Sequence, residues 1–273
     1  MAARIRTGRS EPAGERRWMR AGEGSSAAQD KNSIGGILIG CAYPNRIFFC
    51  RHTEYTRYMP DDFPYYSKNE RALLRGIASF SKKDQRRIQA AIRIAKQYHA
   101  GQVRDEADTE NAGYIIHCVR VARWLAEHTA RNPDAVIAGL LHDSLEDTRL
   151  TATDIKKIFG PKVLSLVRAV TRPRPFRETE VEKIFNKPKQ LKAILRANRT
   201  VRMIKTADTL DNMRSWPFIP RNHPVQYKFP RWFNEAKKFY IPIALTVDKQ
   251  AAGEMEGILN RSMIPRQDEH TRY

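Results

Sequence analysis

The sequence predicts an all-α protein, and two observations carry this prediction. Between residues 81 and 261, apolar residues recur at the three- and four-residue spacing of amphipathic helices. No stretch of any length shows the strict apolar–polar alternation of a half-buried strand, and no internal repeat is present. We therefore expect a bundle of helices joined by loops rich in proline, glycine and charged residues.

The first half of this bundle is predicted to contain three helices. The first begins at Ser81, where Asp84 three residues on gives a capping-box-like start. The second covers about 115–129, and a third covers 135–146. Because the third helix is almost entirely apolar before its charged end, we expect it to lie at the centre of the fold.

The second half is predicted to contain shorter helices and two irregular stretches. The charged segment 172–189 holds three prolines and is expected to be a loop, and the proline-rich stretch 216–230 is expected to be irregular. Helices are expected on either side of these stretches, at 151–160, 163–170, about 189–197, 199–214 and 231–261.

Composition divides the chain into four regions. Residues 1–60 are rich in Gly, Ser and Arg without a helical period, so we expect a disordered basic extension. Residues 61–80 are expected to be a linker, 81–262 the folded domain and 263–273 a tail. The basic extension is the only segment from which we expect contact with nucleic acid.

The charge and cysteine content limit the partners and the compartment. A formal net charge of +19 favours anionic partners such as phosphorylated small molecules, although a basic surface also aids solubility. Three scattered cysteines are no disulfide framework and indicate a reducing cytoplasm. No apolar stretch approaches the ~20 residues that span a bilayer, so no membrane partner is expected. The sequence carries no signal of oligomeric state.

The segment GLLHDSLEDT (139–148) places four ionisable side chains at the end of the apolar third helix. On a continuous helix, His142 would stack with Glu146 and Asp143 with Asp147, so all four would share one quadrant. Burying unpaired charges is costly, and a divalent cation would compensate them. Imidazole with carboxylate suits Mn²⁺, Fe²⁺ or Zn²⁺. The alternative is a solvated acidic turn at the helix end.

Two further segments favour the metal site. His117 stands at the start of an apolar helix, and Asp208 lies inside another, with Asn212 four residues on. With His142 and Asp143, these residues offer two imidazole nitrogens and two carboxylates. Such a set leaves coordination positions open for water and substrate.

Five segments in this order resemble the HD superfamily of metal-dependent phosphohydrolases. The resemblance is closer to the hydrolase domain of RelA/SpoT homologues, and closest to the small stand-alone alarmone hydrolases. It covers roughly residues 81–215, and no segment resembles the synthetase domain of the long members. The segments that carry it are HAGQVR (99–104), YIIH (114–117), GLLHDSLEDT (139–148), FG (159–160) leading into LVRAVT (166–171), and IKTADTLDNMRS (204–215).

The resemblance implies an HD-domain helical bundle with a metal site at its centre. It also implies removal of the 3′-pyrophosphate from the stringent-response alarmone (p)ppGpp, giving GDP or GTP and pyrophosphate, usually with one Mn²⁺. Carried over by position, Glu146 and Asp147 would orient and deprotonate the attacking water. The metal ligands would be His117, His142, Asp143 and Asp208, and the substrate-binding residues Arg104 at the base, Tyr114, Asn212 and Lys205.

A basic segment between the metal-binding motifs fits an anionic substrate. We expect one or two of its cations to touch phosphate, although a solvated charged loop is the alternative. These cations are Arg172, Arg174, Arg177, Lys183, Lys187 and Lys189.

The sequence departs from the family pattern at two places. Cys118 stands where the family usually has proline, which alters the helix start and not the ligand. The acidic stretch 105–111 begins with Asp105, where a basic residue is common, and bears on the recognition of the base. Base recognition therefore stays open between guanine and adenine. Another HD-type phosphohydrolase, acting on ppApp, on the 2′-phosphate of NADPH or as a nucleotidase, is the first alternative. A nucleic-acid-binding regulator with a vestigial metal site is the second.

Overall fold

A computed structural model describes most of the predicted domain, in four ranges: 66–103, 113–172, 179–219 and 222–263. The described residues form helices and contain no strand, which confirms the all-α prediction. The expected N-terminal extension (1–60) and all but the first residue of the expected tail (263–273) lie outside these ranges.

The helices follow one another with short connections. The segments Ile77–Ser79, Trp216–Phe218 and Pro224–Lys228 are 3₁₀ turns, and Ala236–Tyr240 is a π-helical turn. In the described ranges the α-helices are α1 (Tyr66–Gly76), α2 (Lys82–Tyr98), α3 (Ile115–His128), α4 (Pro133–Leu141), α5 (Ser144–Asp147), α6 (Ala152–Phe159), α7 (Pro161–Val170), α8 (Glu180–Arg196), α9 (Arg199–Ser215), α10 (Phe229–Glu235), α11 (Ile241–Leu245) and α12 (Lys249–Met263).

Helices α3, α4 and α9 form the centre of the bundle. Helix α3 contacts α1, α2, α4 and α9, and α4 also packs against α2 and α7. Every residue of α4 from Ala135 to Leu141 is buried, as its apolar sequence predicts. Gly139 allows the close approach of α4 to α3, because a Cβ there would overlap the Leu125 side chain.

Side-chain caps fix where several helices begin. Ser81 accepts a hydrogen bond from the Asp84 backbone N–H at 3.1 Å, which confirms the predicted start of α2. At the start of α9, Asn198 accepts one from the Val201 backbone N–H at 3.0 Å. These caps satisfy N–H groups that have no partner within their own helix.

The third predicted helix is interrupted just before its charged end. Helix α4 ends at Leu141, His142 and Asp143 form a turn, and α5 begins at Ser144. The prediction of one continuous helix over 135–146 is therefore wrong. Asp143 has φ −96° and ψ −5°, which turns the chain before the next helical residues.

Two predicted irregular stretches are partly helical. Helix α8 begins at Glu180, not near 189, because Thr179 and Glu182 form a reciprocal capping box and the helix accommodates Pro188. Within the expected linker 61–80, the structure has α1, which packs on α3 and buries Leu73.

The helix predicted over 231–261 is divided into several helices in the structure. The described chain there is α10, the π-helical turn, α11 and α12, with a break at 246–248. The break separates α11 from α12, and the two helices contact one another.

We expect the same substitution at two helical glycines to have opposite effects. In Gly139→Ala, the new methyl group must displace Leu125 and would lie 3.3 Å from Val121 Cγ1, so the free energy of unfolding should fall by roughly 1–3 kcal/mol. Gly253→Ala adds a methyl group in open space on α12 and should raise it by up to about 1 kcal/mol. Denaturant unfolding measures both, and an equal effect would contradict the described α3–α4 packing.

We expect an ion-pair cluster to make stability depend on acid pH. Asp134 lies 2.8 Å from Arg87 Nη2 and 3.1 Å from Lys162 Nζ. Burial raises the pKa of the Asp134 carboxyl, but the hydrogen bond from Arg87 and the nearby positive charges outweigh burial and hold the pKa below its usual value. This stabilisation is therefore present above the unfolded-state pKa of about 3.9 and is lost as the pH falls through the lower folded-state value.

The test is chemical denaturation of Asp134→Asn between pH 7 and pH 2. At pH 7 the variant should be about 0.5–1 kcal/mol less stable than the wild type, and the difference should shrink as the pH falls. Glu256→Gln, an exposed position on α12, controls for the loss of one negative charge. A difference that stays constant down to pH 2 would show that the ion pairs do not cause it.

Candidate metal centre

The structure brings the four sequence-predicted ligand residues together at the centre of the bundle. His117 comes from α3, His142 and Asp143 from the turn after α4, and Asp208 from α9. The two Nε2 atoms of the histidines are 3.1 Å apart. Asp143 Oδ2 lies 2.9 Å from His142 Nε2, and Asp208 Oδ1 lies 3.4 Å from His117 Nε2.

The interruption of the third helix is what makes this convergence possible. Neighbouring residues on a continuous helix point about 100° apart. In the turn, His142 and Asp143 instead meet each other and also face His117, whose Nε2 is 3.8 Å from Asp143 Oδ2. The i, i+4 stacking expected from the sequence therefore does not build the site.

Each histidine is oriented through its other ring nitrogen. His142 Nδ1 lies 2.9 Å from the Gly139 carbonyl oxygen, and His117 Nδ1 lies 2.6 Å from Asp211 Oδ2. A carbonyl or carboxylate oxygen can only accept, so Nδ1 of each ring carries the proton. In the neutral rings, both Nε2 atoms then present lone pairs to the cluster.

The donor set fits a cation. His117 is fully buried and His142 and Asp208 are nearly so, yet two lone pairs and two carboxylates meet within a few ångströms. Burial lowers the pKa of His142, but the charges of Asp143 and Asp208 outweigh it and raise that pKa well above its usual value. The two carboxylates therefore favour positive charge at the imidazoles, and a divalent metal ion would supply that charge in place of a proton.

Three predicted substrate-binding residues contact the carboxylates of this cluster. Lys205 Nζ lies 2.7 Å from Asp208 Oδ2, and Asn212 Nδ2 donates to Asp208 Oδ1 at 2.6 Å. The Tyr114 hydroxyl donates to Asp143 Oδ2. Burial lowers the pKa of Lys205, but the charge of Asp208 raises it above its usual value, so the pair is ionised. The fourth predicted residue, Arg104, lies outside the described residues.

The two predicted catalytic carboxylates lie on α5, directly after the metal-binding turn. Glu146 Oε1 accepts a hydrogen bond of 2.6 Å from the Arg172 backbone N–H. Glu146 also adds to the electrostatic stabilisation of charged Lys205, so it faces the same region. Asp147 is exposed and lines a cavity of about 450 Å³ together with Gln102 and residues of α2 and the α5–α6 connection.

The predicted basic segment is divided by the structure. Arg172 is buried, and Lys187 pairs with Glu235 at 2.7 Å. Lys183 is half-buried and Lys189 is exposed on α8. Arg174 and Arg177 lie outside the described residues.

Sequence reasoning missed the residues that hold His117. Asp211 binds its Nδ1, and Arg120 donates to both oxygens of Asp211, at 2.7 and 3.1 Å. Burial raises the pKa of the Asp211 carboxyl, but the charge of Arg120 and the hydrogen bonds from His117 and Arg120 together outweigh burial and lower that pKa. The spacing in the sequence could have indicated them. Arg120 follows His117 by three residues and Asp211 follows Asp208 by three, so each lies on the same helix face as a predicted ligand.

Comparison with known proteins assigns the family. The HD domain family model matches residues 91–244, which is more than half of the chain. The chain belongs to the HD domain family.

Individual relatives place it within that family. The chain is 30% identical over 145 residues to the Drosophila melanogaster protein named guanosine-3′,5′-bis(diphosphate) 3′-pyrophosphohydrolase MESH1, a match that covers 52% of this chain and 78% of that protein. It is 33% identical over 159 residues to a GTP pyrophosphokinase of Streptomyces coelicolor, and 33% identical over 162 residues to a Borreliella burgdorferi protein named guanosine-3′,5′-bis(diphosphate) 3′-pyrophosphohydrolase. These matches cover 58% and 59% of this chain but only 18% and 23% of those two proteins.

A solved structure agrees with the fold. The structure, described as a metazoan ortholog of SpoT that hydrolyzes ppGpp, superposes with a TM-score of 0.56 at 25% identity. The match covers 66% of this chain and 97% of that structure. Among the helices of the described ranges, none is long and apolar enough to cross a membrane.

We expect Asp208→Asn to weaken metal binding while the fold is kept. The substitution preserves the shape of the side chain but removes a charge from the cluster, so Mn²⁺ affinity should fall at least about tenfold. Calorimetric titration of metal-free protein with Mn²⁺ measures it. Asp154→Asn is the matched control and should bind Mn²⁺ as the wild type does. Asp154 is the third residue of α6, where its side chain accepts from the Thr151 backbone N–H, and an asparagine oxygen can accept the same hydrogen bond. Equal affinity for both variants would exclude Asp208 as a ligand.

Proposed function

We propose that this protein is a metal-dependent phosphohydrolase that removes the 3′-pyrophosphate from (p)ppGpp, giving GDP or GTP and pyrophosphate. The observation that carries the proposal is the convergence of His117, His142, Asp143 and Asp208 next to the carboxylates of α5. The names of the relatives support the substrate, since several are 3′-pyrophosphohydrolases of this nucleotide.

We further propose that the cation is Mn²⁺, held by these four residues. Two imidazole nitrogens with two carboxylates suit borderline divalent cations, and the family resemblance points to Mn²⁺ among them. When bound, the cation would polarise a phosphoryl oxygen and lower the pKa of a water molecule. Tyr114, Asn212 and Lys205 keep the two carboxylates in place for this role.

In this mechanism Glu146 takes the proton of the attacking water, and Asp147 helps to orient that water. The Arg172 backbone N–H donates to one Glu146 oxygen and orients the carboxylate. A carboxylate oriented in this way can act as the general base. The water oxygen attacks the phosphorus attached to the ribose 3′ oxygen. The bond between this phosphorus and the 3′ oxygen breaks, and the 3′ oxygen takes up a proton from solvent to become the ribose hydroxyl. Glu146 returns its proton to solvent, and pyrophosphate is released.

The basic charge of the protein fits such a substrate. A net charge of +19 raises the local concentration of a polyanionic nucleotide around the molecule. Within the site, Lys205 stands beside the metal ligands and can meet a phosphate while it is paired with Asp208. We propose that Arg104 contacts the base of the nucleotide. We also propose the cytoplasm as the compartment, because the few scattered cysteines indicate a reducing environment.

The test is incubation of the purified protein with ppGpp and Mn²⁺, with separation of the products. We expect equimolar GDP and pyrophosphate, and no release in the presence of a chelator. Parallel reactions with ppApp and NADPH measure the preference for the base and for the phosphate position. No release from ppGpp by protein shown to hold Mn²⁺ would exclude this substrate and leave the other phosphorylated nucleotides.

A variant pair tests the role of α5. Glu146→Gln removes the proton acceptor and should lower kcat by about 10²- to 10⁴-fold, while Mn²⁺ affinity changes little. Asp147→Asn should lower kcat less, because we give it the orienting role. Glu256→Gln, on the exposed face of α12, is the matched control and should keep full activity. Unchanged turnover in Glu146→Gln would assign the base to another group.

A further inference from the structure

Behind the metal cluster, a buried ion pair joins α3 to α9. Asp211 is 3% exposed and Arg120 is 7% exposed. The guanidinium engages both carboxylate oxygens, with Arg120 Nε 2.7 Å from Oδ1 and Nη2 3.1 Å from Oδ2. The second oxygen also accepts from His117 Nδ1 at 2.6 Å. One carboxylate therefore connects a charged guanidinium to a ligand imidazole.

We propose that Asp211, held by Arg120, is the positioning residue that fixes His117 as a metal ligand. The inference rests on the metal site of the proposed function and adds to it a pair of residues outside the ligand set. Asp211 faces Nδ1, the nitrogen on the far side of the ring from the cluster, so it acts through His117.

Helical spacing places this pair where the role requires it. His117 and Arg120 are three residues apart on α3, and Asp208 and Asp211 are three residues apart on α9. Residues at this spacing lie on the same face of a helix. Each helix therefore presents one ligand and one member of the ion pair to the other helix, and the two contacts form as one unit.

The chemistry of the pair sets the state of His117. A carboxylate that accepts the Nδ1 proton holds the ring in the tautomer whose Nε2 can bind metal. The Arg120 guanidinium contacts both oxygens of the buried carboxylate and is its counter-ion. The orientation of both carboxylate oxygens is fixed by two donors, which limits rotation of the imidazole.

The two proposed ligand histidines consequently differ in the group that accepts their Nδ1 proton. His142 is held by the neutral Gly139 carbonyl, whereas His117 is held by a paired carboxylate. A charged acceptor strengthens the hydrogen bond relative to a neutral one. His117 is therefore the stronger donor to the metal, and its hold on the metal depends on Asp211.

A purely structural role is the competing explanation, because the same ion pair also ties two central helices together. The chain offers a matched control for this role. Arg214, also on α9, makes a two-contact ion pair with Glu254 on α12, at 2.6 and 2.7 Å. Glu254→Gln removes a bidentate ion pair of α9 without touching the metal cluster.

The experiment is calorimetric titration of metal-free full-length variants with MnCl₂, together with their thermal unfolding. Asp211→Leu removes the acceptor and should lower Mn²⁺ affinity by about 10- to 100-fold. Asp211→Asn keeps an oxygen that can accept from His117 Nδ1, so its Mn²⁺ affinity should lie between those of Asp211→Leu and the wild type. Glu254→Gln should lower the unfolding temperature yet bind Mn²⁺ within about twofold of the wild type.

The visible absorption of bound Co²⁺ gives a readout that helix tethering alone does not change. In Asp211→Asn or Asp211→Leu, we expect the ligand-field bands to shift as His117 loosens. If Asp211→Leu does not fold, Asp211→Asn decides the question by the same measurements. Wild-type affinity and an unchanged Co²⁺ spectrum in the folded variant, with only the unfolding temperature lowered, would overturn the proposal.

Failure of this inference can be separated from failure of the proposed function. If the wild type binds Mn²⁺ but does not cleave ppGpp, the substrate assignment falls and the Asp211 inference is decided by the titrations alone. If the wild type binds no divalent metal, the metal site is excluded and the inference with it.

Discussion

The constraint on which this structure depends is the negative charge held at the centre of its helical bundle. Asp143 and Asp208 meet the Nε2 atoms of two imidazoles, in a region where His117 has no exposed surface. Such a cluster is unfavourable unless a cation or protons neutralise it. The interruption after Leu141, the closeness of α3 to α4 at Gly139 and the ion pair behind His117 all place donors around this point.

The surrounding polar groups form a connected shell that fixes the carboxylates. Lys205 and Asn212 hold Asp208, and the Tyr114 hydroxyl holds Asp143. The Tyr114 ring stacks on His99 at 5.0 Å, and His99 Nδ1 lies 2.7 Å from Gln102. Gln102 in turn donates to the Asp147 carbonyl at 2.6 Å, which links the shell back to α5. The Asp143 carboxylate and the backbone of α5 at Asp147 are therefore joined by one network.

The sequence allowed the fold class and the members of the candidate site to be predicted, but not the local geometry. Apolar periodicity and caps such as Ser81 are local, so they could be read from the chain. The turn at His142 could not, because its neighbours are helical in pattern and the contacts of His142 and Asp143 with α3 and α9 form only in the folded chain. Asp211 was missed for a similar reason, since its role appears only when two distant helices pack together. The start of α8 at Glu180 was not predicted, because three prolines and many charges in 172–189 indicated a loop. In the structure, the capping box of Thr179 and Glu182 begins the helix before the last of these prolines, Pro188.

The most direct test of the central claim is to locate the metal by anomalous scattering in crystals grown with Mn²⁺. The account predicts one strong Mn²⁺ peak between α3, α9 and the 142–143 turn, bonded to His117 and His142. It also predicts that this peak disappears in Asp208→Ala crystals that keep the same helical packing. A peak at surface carboxylates with no peak among these residues, in protein saturated with Mn²⁺, would contradict the account.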